Sequence, residues 1–174
     1  MFLCQMSGIP GVGKSTLAKK ICSLTNAVLL NTDIIKSSVI QSFEDDIDFR
    51  LAGKVTYDAV FALACNNLSI GNSVVIDSPC SYEIILERGI HLSKIYNAAY
   101  KFIECHVGDL SEVNRRRIHR KTLTSQRYNA PISEIEYQNS INNLKRPADY
   151  EYLVINSSPG LDEYIGKVME YLMK

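Results

Sequence analysis

The chain has 174 residues, 46% of them apolar and 22% charged, a composition that excludes wholesale disorder, a collagen-like fibre and a long coiled coil. Its 19 Lys and Arg balance 19 Asp and Glu, which removes the broad field that would favour unspecific binding to nucleic acid or anionic lipid. The length suits one domain over residues 1–174, and no apolar run approaches the ~20 residues needed to cross a bilayer.

In chain order, a short apolar run at Phe2 to Met6 reads as a strand, and Leu17, Ile21 and Leu24 mark a helix after it. Ala27 to Leu30 is a second strand, followed at Thr32 and Asp33 by a helix start. The acidic patch Glu44-Asp45-Asp46-Ile47-Asp48 favours the amino end of a long helix, whose apolar positions are Leu51, Val55, Ala59, Ala62 and Leu63. A third strand at Ser73 to Ile76 precedes a helix marked by Ile84, Ile85, Ile95 and Ala99. Phe102 to Val107 is the fourth strand. A basic helix follows, then a polar, irregular stretch from Leu123 to Arg146, a fifth strand at Tyr152 to Ile155, and a closing helix on Leu161, Ile165, Val168 and Leu172. Strands apolar on both faces, alternating with helices, predict a doubly wound parallel α/β sheet.

The amino terminus lacks a basic leader, and the five cysteines form no CxxC pair or metal spacing. Both features point to a cytoplasmic protein with reduced core thiols, Cys80 being the one candidate for exposure in a loop. His91, His106 and His119 are isolated, so zinc is not expected. No feature of the sequence specifies an oligomeric state.

The first strand runs into Gly8-Ile9-Pro10-Gly11-Val12-Gly13-Lys14-Ser15-Thr16, which satisfies G-x-x-x-x-G-K-[ST] in full. Glycines let backbone N–H groups wrap a phosphate, and the following helix adds its positive end. Lys14 is placed to reach the β- and γ-phosphates, Ser15 to offer a hydroxyl to Mg²⁺, and Thr16 to open the helix. Gly11-x-Gly13 lacks the third glycine of a dinucleotide loop.

Acids at strand ends extend the reading, because a parallel sheet puts every carboxyl end on the phosphate-binding edge. Asp33 is placed to take a proton from an attacking hydroxyl, and Lys36, three residues on, to bind the acceptor. The plainer alternative is that Asp33 or Thr32 caps the helix. Asp77 ends the third strand, where it is placed to hold Mg²⁺ or its water, or else to serve as a turn residue before Ser78-Pro79. In Arg115-Arg116-Arg117-Ile118-His119-Arg120-Lys121, Arg116 and Arg120 share a helix face with Arg117 beside it. These arginines read as a lid over transferring phosphate, against the commoner fate of a solvated face. Tyr57, Tyr82 and Arg50 are weaker candidates for an acceptor pocket. Lys145-Arg146-Pro147 either flanks a nucleotide base or forms a plain loop.

With GIPGVGKSTLAKKI, LLNTDIIK, GNSVVIDSP and RRRIHR in place, the chain resembles the small P-loop kinases with an AAA-like ATP-binding domain, among them polynucleotide 5'-hydroxyl kinases, gluconate-type sugar kinases, chloramphenicol phosphotransferase and zeta-toxin kinases. The resemblance implies the P-loop NTPase fold: a five-stranded parallel sheet, helices on both faces, and a small helical lid over about residues 109–130. It also implies Asp33 as acceptor-side base and lid arginines at Arg116 or Arg117 and Arg120, with Lys36 standing where the pattern usually has arginine. Expected ligands are ATP, favoured over GTP because no guanine-reading signature is present, together with Mg²⁺ and a small-molecule hydroxyl acceptor. A DNA or RNA 5'-hydroxyl is the less favoured acceptor, since no extended basic and aromatic surface is evident. A slow nucleotide-dependent regulator is the rival outside enzymology, and a membrane partner is not expected.

Overall fold

Strands that are apolar on both faces need cover on both sides, and the fold supplies it at Phe2–Ser7 and Val74–Asp77, which are buried throughout, while at the sheet's edge Val154 stays 45% exposed. The computed structural model describes residues 1–44, 46–126 and 130–174. Among these the order is β1 (Phe2–Ser7), α1 (Lys14–Thr25), β2 (Val28–Asn31), α2 (Thr32–Ser42), α3 (Phe49–Ser69), β3 (Val74–Asp77), α4 (Glu83–Ile95), β4 (Ala99–His106), α5 (Leu110–His119), α6 (Glu134–Asn142), β5 (Leu153–Asn156) and α7 (Leu161–Met173). The strands form one sheet in the order β2-β3-β1-β4-β5, parallel throughout. This is the expected α/β architecture, with the loop after β1 at the middle of the sheet's carboxyl edge.

Alternate strand residues enter two cores. On one face Cys4, Met6, Val75, Ile103 and Cys105 pack with Leu17, Ala18 and Ile21 of α1 and Val168 and Leu172 of α7. On the other, Leu3, Val74, Ile76 and Phe102 meet Val60, Phe61, Ala64 and Leu68 of α3 and Ile85 and Leu86 of α4. Among the described residues no helix is long and apolar enough to cross a membrane.

Several local expectations are corrected. Helix α3 buries Ala52, Thr56, Val60, Phe61, Ala64 and Leu68, whereas Leu51, Val55 and Leu63 are exposed. Apolar residues occur on both sides of this helix, so helical spacing finds the element without selecting its buried face. Ala99 opens β4, where it pairs with Phe2, and does not extend α4. Cys80 is fully buried, and desolvation pushes its thiol up to about 12. Of the acidic patch, Asp48 caps α3, its carboxylate accepting from the N–H groups of Arg50 and Leu51, both at 2.9 Å. Asp45 of that patch, and residues 127–129 of the expected lid, lie outside the described residues.

One buried polar contact ties β1 to the helix covering it. The Gln5 amide donates to the carbonyl of Ile85 at 2.9 Å and accepts from the Tyr100 hydroxyl at 2.6 Å. Gly89 leaves room for that side chain, since a Cβ there would stand 2.2 Å from Gln5 Oε1. Gly to Ala inside a helix ordinarily gains about 1 kcal/mol in stability. Here Gly89→Ala is expected to lose about 2 kcal/mol through overpacking of a buried amide, measured as a lower urea midpoint with unchanged slope.

Candidate active site

The phosphate loop is shaped by what surrounds it. Gly8, at φ +130°, lies so close to β4 that a Cβ would come within 2.5 Å of the Cys105 carbonyl oxygen, and at Gly11, φ +100°, a Cβ would meet Arg117 Cγ at 2.9 Å. Val12 is buried and its carbonyl accepts from the Ser157 hydroxyl at 2.6 Å. Gly8 and Val12 therefore shape and pin the loop from behind, while Gly11, Gly13, Lys14, Ser15 and Thr16 line a cavity of about 610 Å³. Gly13 opens α1 with no side-chain cap, and no acid lies in the first turn. A helix start left in this way presents N–H donors and a positive dipole end to an anion.

Lys14 donates to the carbonyl of Ile9 at 3.1 Å. Desolvation lowers its pKa, opposed by the carboxylates of Asp77 and Asp33. Asp77, 4% exposed, moves the other way: burial raises its pKa, opposed by Lys14 and by hydrogen bonds from Ser15 and Asn31. The Ser15 hydroxyl and the Asp77 carboxylate thus adjoin on the cavity wall. Among the described residues no group of three or more His, Cys, Asp or Glu gathers to hold a metal. One hydroxyl and one carboxylate fit Mg²⁺, which takes few protein ligands and completes its shell with phosphate oxygens and water.

Asn31 joins the two acids. Its Oδ1 accepts from the N–H of Ile34 at 2.9 Å, capping α2, while its Nδ2 donates to Asp77 Oδ2 at 2.5 Å. Neither Asp33 nor Thr32 is the cap: the Thr32 hydroxyl donates to the Asp77 carbonyl at 3.0 Å. Asp33 sits in the first turn of α2 and lines the same cavity as the phosphate loop.

Helix α5 contributes unequally. Arg116 and Arg120 line the cavity. Arg116 is braced by Glu112 at 2.6 Å and by the carbonyls of Ser157 and Ser158 at 3.0 and 3.2 Å, and with Arg115 it holds the Glu112 carboxyl down to about 2. Burial lowers the Arg120 pKa, and the Asp33 carboxylate opposes the shift. Arg117 corrects an expectation. It is 6% exposed, packs beneath Gly11, and donates through Nε to the Ala130 carbonyl at 3.2 Å, outside the cavity lining. Arg116, within α5, and Arg120, extended just past its end, both reach the cavity, while Arg117 turns toward the loop.

Lys36 is also not brought into the cavity, because its ammonium lies 3.2 Å from the centroid of the Phe49 ring. Tyr57, Tyr82 and Arg50 do not line it either. Arg146 leaves the expected base flank to make a bidentate pair with Glu104, both contacts at 2.7 Å. The wall beside Arg116 is built instead from Ser157, Pro159, Leu161 and Tyr164. Sequence reasoning missed those four, as well as Asn31, Lys19 and Gln126. Asn31 had a signal, a capping residue three before a helical amide. Asn31→Ala is expected to cost about 1 kcal/mol of stability and to weaken Mg²⁺-nucleotide binding, whereas Asn31→Asp restores the cap but places a second carboxylate against Asp77. Urea unfolding and nucleotide titration with and without Mg²⁺ separate the two effects.

No curated protein sequence is similar enough to count as a relative. Solved structures with the same fold include a Chloroflexus aurantiacus protein assigned as a kinase, with 18% identity, 98% of each chain covered and a TM-score of 0.76. A gluconokinase from Sinorhizobium meliloti has 15% identity and a TM-score of 0.63, covering 99% of this chain and 91% of that one. The Mycobacterium tuberculosis APS kinase, solved with AMPPNP and APS, has 14% identity and a TM-score of 0.63, covering 99% and 98%. These likenesses show a P-loop kinase fold. Residues 3–142, well over half the chain, match the AAA domain family, and with the phosphate loop at the amino end of α1, the chain belongs to that family.

Proposed function

We propose that the protein is an ATP-dependent kinase that transfers the γ-phosphoryl group to a hydroxyl of a small-molecule or nucleotide-like acceptor. The observation that carries this reading is one cavity lined together by an uncapped helix start, Lys14, Arg120 and the Asp33 carboxylate, which acts on both cations. The kinase names of structural neighbours, and the ATP analogue AMPPNP in the APS kinase, support it.

In this mechanism the loop amides and Lys14 hold the triphosphate. Ser15 and Asp77 would hold Mg²⁺, which when bound would supply positive charge to offset that of the phosphates. Asp33 orients the acceptor hydroxyl and takes its proton as the new O–P bond forms and the bridging bond to the β-phosphate breaks, releasing ADP. Arg120 stabilises charge on the transferring group, and Arg116 holds the nucleotide against the β5–α7 connection. Arg117 supports the loop from beneath, and Lys36 has no assigned step.

The test is ATP turnover with a panel of hydroxyl acceptors. Lys14→Ala is expected to abolish measurable transfer and Asp33→Asn to lower kcat by about 10²- to 10⁴-fold with little change in the KM for ATP. Unaltered transfer in Asp33→Asn removes the assigned base, and full activity in Lys14→Ala removes the site. Chelation of Mg²⁺ by EDTA is expected to stop transfer, with activity returning on re-addition.

A further inference from the structure

Arginine carries a flat head of five donors on a long flexible stem, and fixing that head in one pose costs rotamer freedom unless acceptors are set around it. Arg116, which lines the cavity, has three such acceptors, one for each guanidinium nitrogen. Its Nε donates to Glu112 Oε1 at 2.6 Å, its Nη1 to the Ser157 carbonyl at 3.0 Å and its Nη2 to the Ser158 carbonyl at 3.2 Å. Three contacts in different directions fix the plane of the group. Nη1 then lies 3.7 Å from where a Cβ on Gly13 would stand, beside the start of α1.

Of these three acceptors, Glu112 is the one that a side chain supplies. Its carboxylate is shared, because Arg115 donates through Nε to Oε2 at 2.6 Å and through Nη2 to Oε1 at 2.8 Å. Exposure separates the two partners. The Arg115 side chain is 63% exposed and lies outside the cavity lining, whereas the side chains of Arg116 and Glu112 are 25% and 22% exposed. An exposed ion pair contributes little, but a charge-assisted bond reinforced by two backbone carbonyls gives a guanidinium a direction. Glu112 is itself absent from the lining, so it reaches the cavity only through Arg116.

We propose, resting on the kinase reading above, that Glu112 is a positioning residue of the nucleotide site, presetting the Arg116 guanidinium before ATP arrives. An arginine already held in its binding pose has lost its rotamer freedom on folding, which removes that ordering cost from the binding step. Two effects of Glu112 on ATP have opposite signs. As a bare negative charge near a triphosphate it would repel, so its removal would tighten binding. As a brace it pre-organises Arg116, so its removal loosens binding. The contacts favour the brace: three N–H donors from two arginines already engage the carboxylate, which screens its field from the cavity.

The experiment titrates the whole chain with ATP in the presence of Mg²⁺ and measures kcat at saturating ATP with an acceptor from the panel above. Glu112→Ala is expected to raise the Kd for ATP by about fivefold with kcat unchanged, because a hold that is equal on bound nucleotide and transition state does not alter the chemical step. Arg116→Ala is expected to raise the Kd by at least as much, and the double variant by no more than Arg116→Ala alone, the non-additivity of a residue that acts through another. General damage to α5 would instead add to the loss of Arg116. Arg115→Ala, which removes the exposed partner of the same carboxylate, is expected to leave the Kd unchanged. Tighter or unaltered ATP binding in Glu112→Ala, full additivity in the double variant, or as large a loss in Arg115→Ala overturns the inference while the kinase reading stands. Failure of the unaltered chain to bind ATP with Mg²⁺ defeats the kinase reading itself, and this inference with it.

Discussion

The amino end of α1 has no side chain of its own to satisfy it. Gly13 caps nothing and the first turn holds no acid, so several N–H donors and the helix's positive end face the cavity, a state that is costly unless an anion or water compensates it. Everything around this end keeps it open and fixed. β1 lies at the sheet's centre with β3 and β4 on either side. Ser157 bonds the Val12 and His106 carbonyls at 2.6 and 3.1 Å, so the connection after β5 is held to the loop and not to solvent.

Burial of two opposite charges follows from the same geometry. Desolvation drives both Lys14 and Asp77 toward their neutral forms, and each partly restores the other's charge. A phosphate arriving beside Lys14 and a cation arriving beside Asp77 would relieve both penalties together. Asn31 holds Asp77 while it starts α2, the helix that carries Asp33. A single amide thus ties the position of Asp77 to the helix that carries Asp33.

The order of elements was legible because five short apolar runs, too short for helices and spaced by helical segments, suit strands of a parallel sheet, and the glycine-lysine loop was legible because phosphate binding demands those residue types at that spacing. The i,i+4 relation placed Arg116 and Arg120 on one face, and both line the cavity, but the same reading counted Arg117 with them. What stayed hidden depended on contacts distant in sequence. Lys36 looks like a ligand on its own helix and is withdrawn only because α3 brings Phe49 over it. Arg117 is one of several arginines in a row until Gly11 is seen above it. Ser157 and Gln126 are ordinary polar residues until the fold brings one to Val12 and the other to Asp33. On α3 the apolar pattern was ambiguous, since large aliphatic residues lie on both sides and the sheet accepts the side bearing small residues such as Ala52 and Ala64.

The pairing of Arg146 with Glu104 bears on how such a chain can drift. Glu104 lies within β4 at 3% exposure and its bidentate partner comes from the segment before β5. Losing Arg146 leaves the Glu104 carboxylate buried without its partner, which is costly, whereas losing Glu104 leaves Arg146, with 43% of its side chain exposed, to water. In descendants of this sequence the dependence should therefore run one way: Glu104 should not persist where Arg146 is lost without a compensating change nearby, while Arg146 can outlast Glu104.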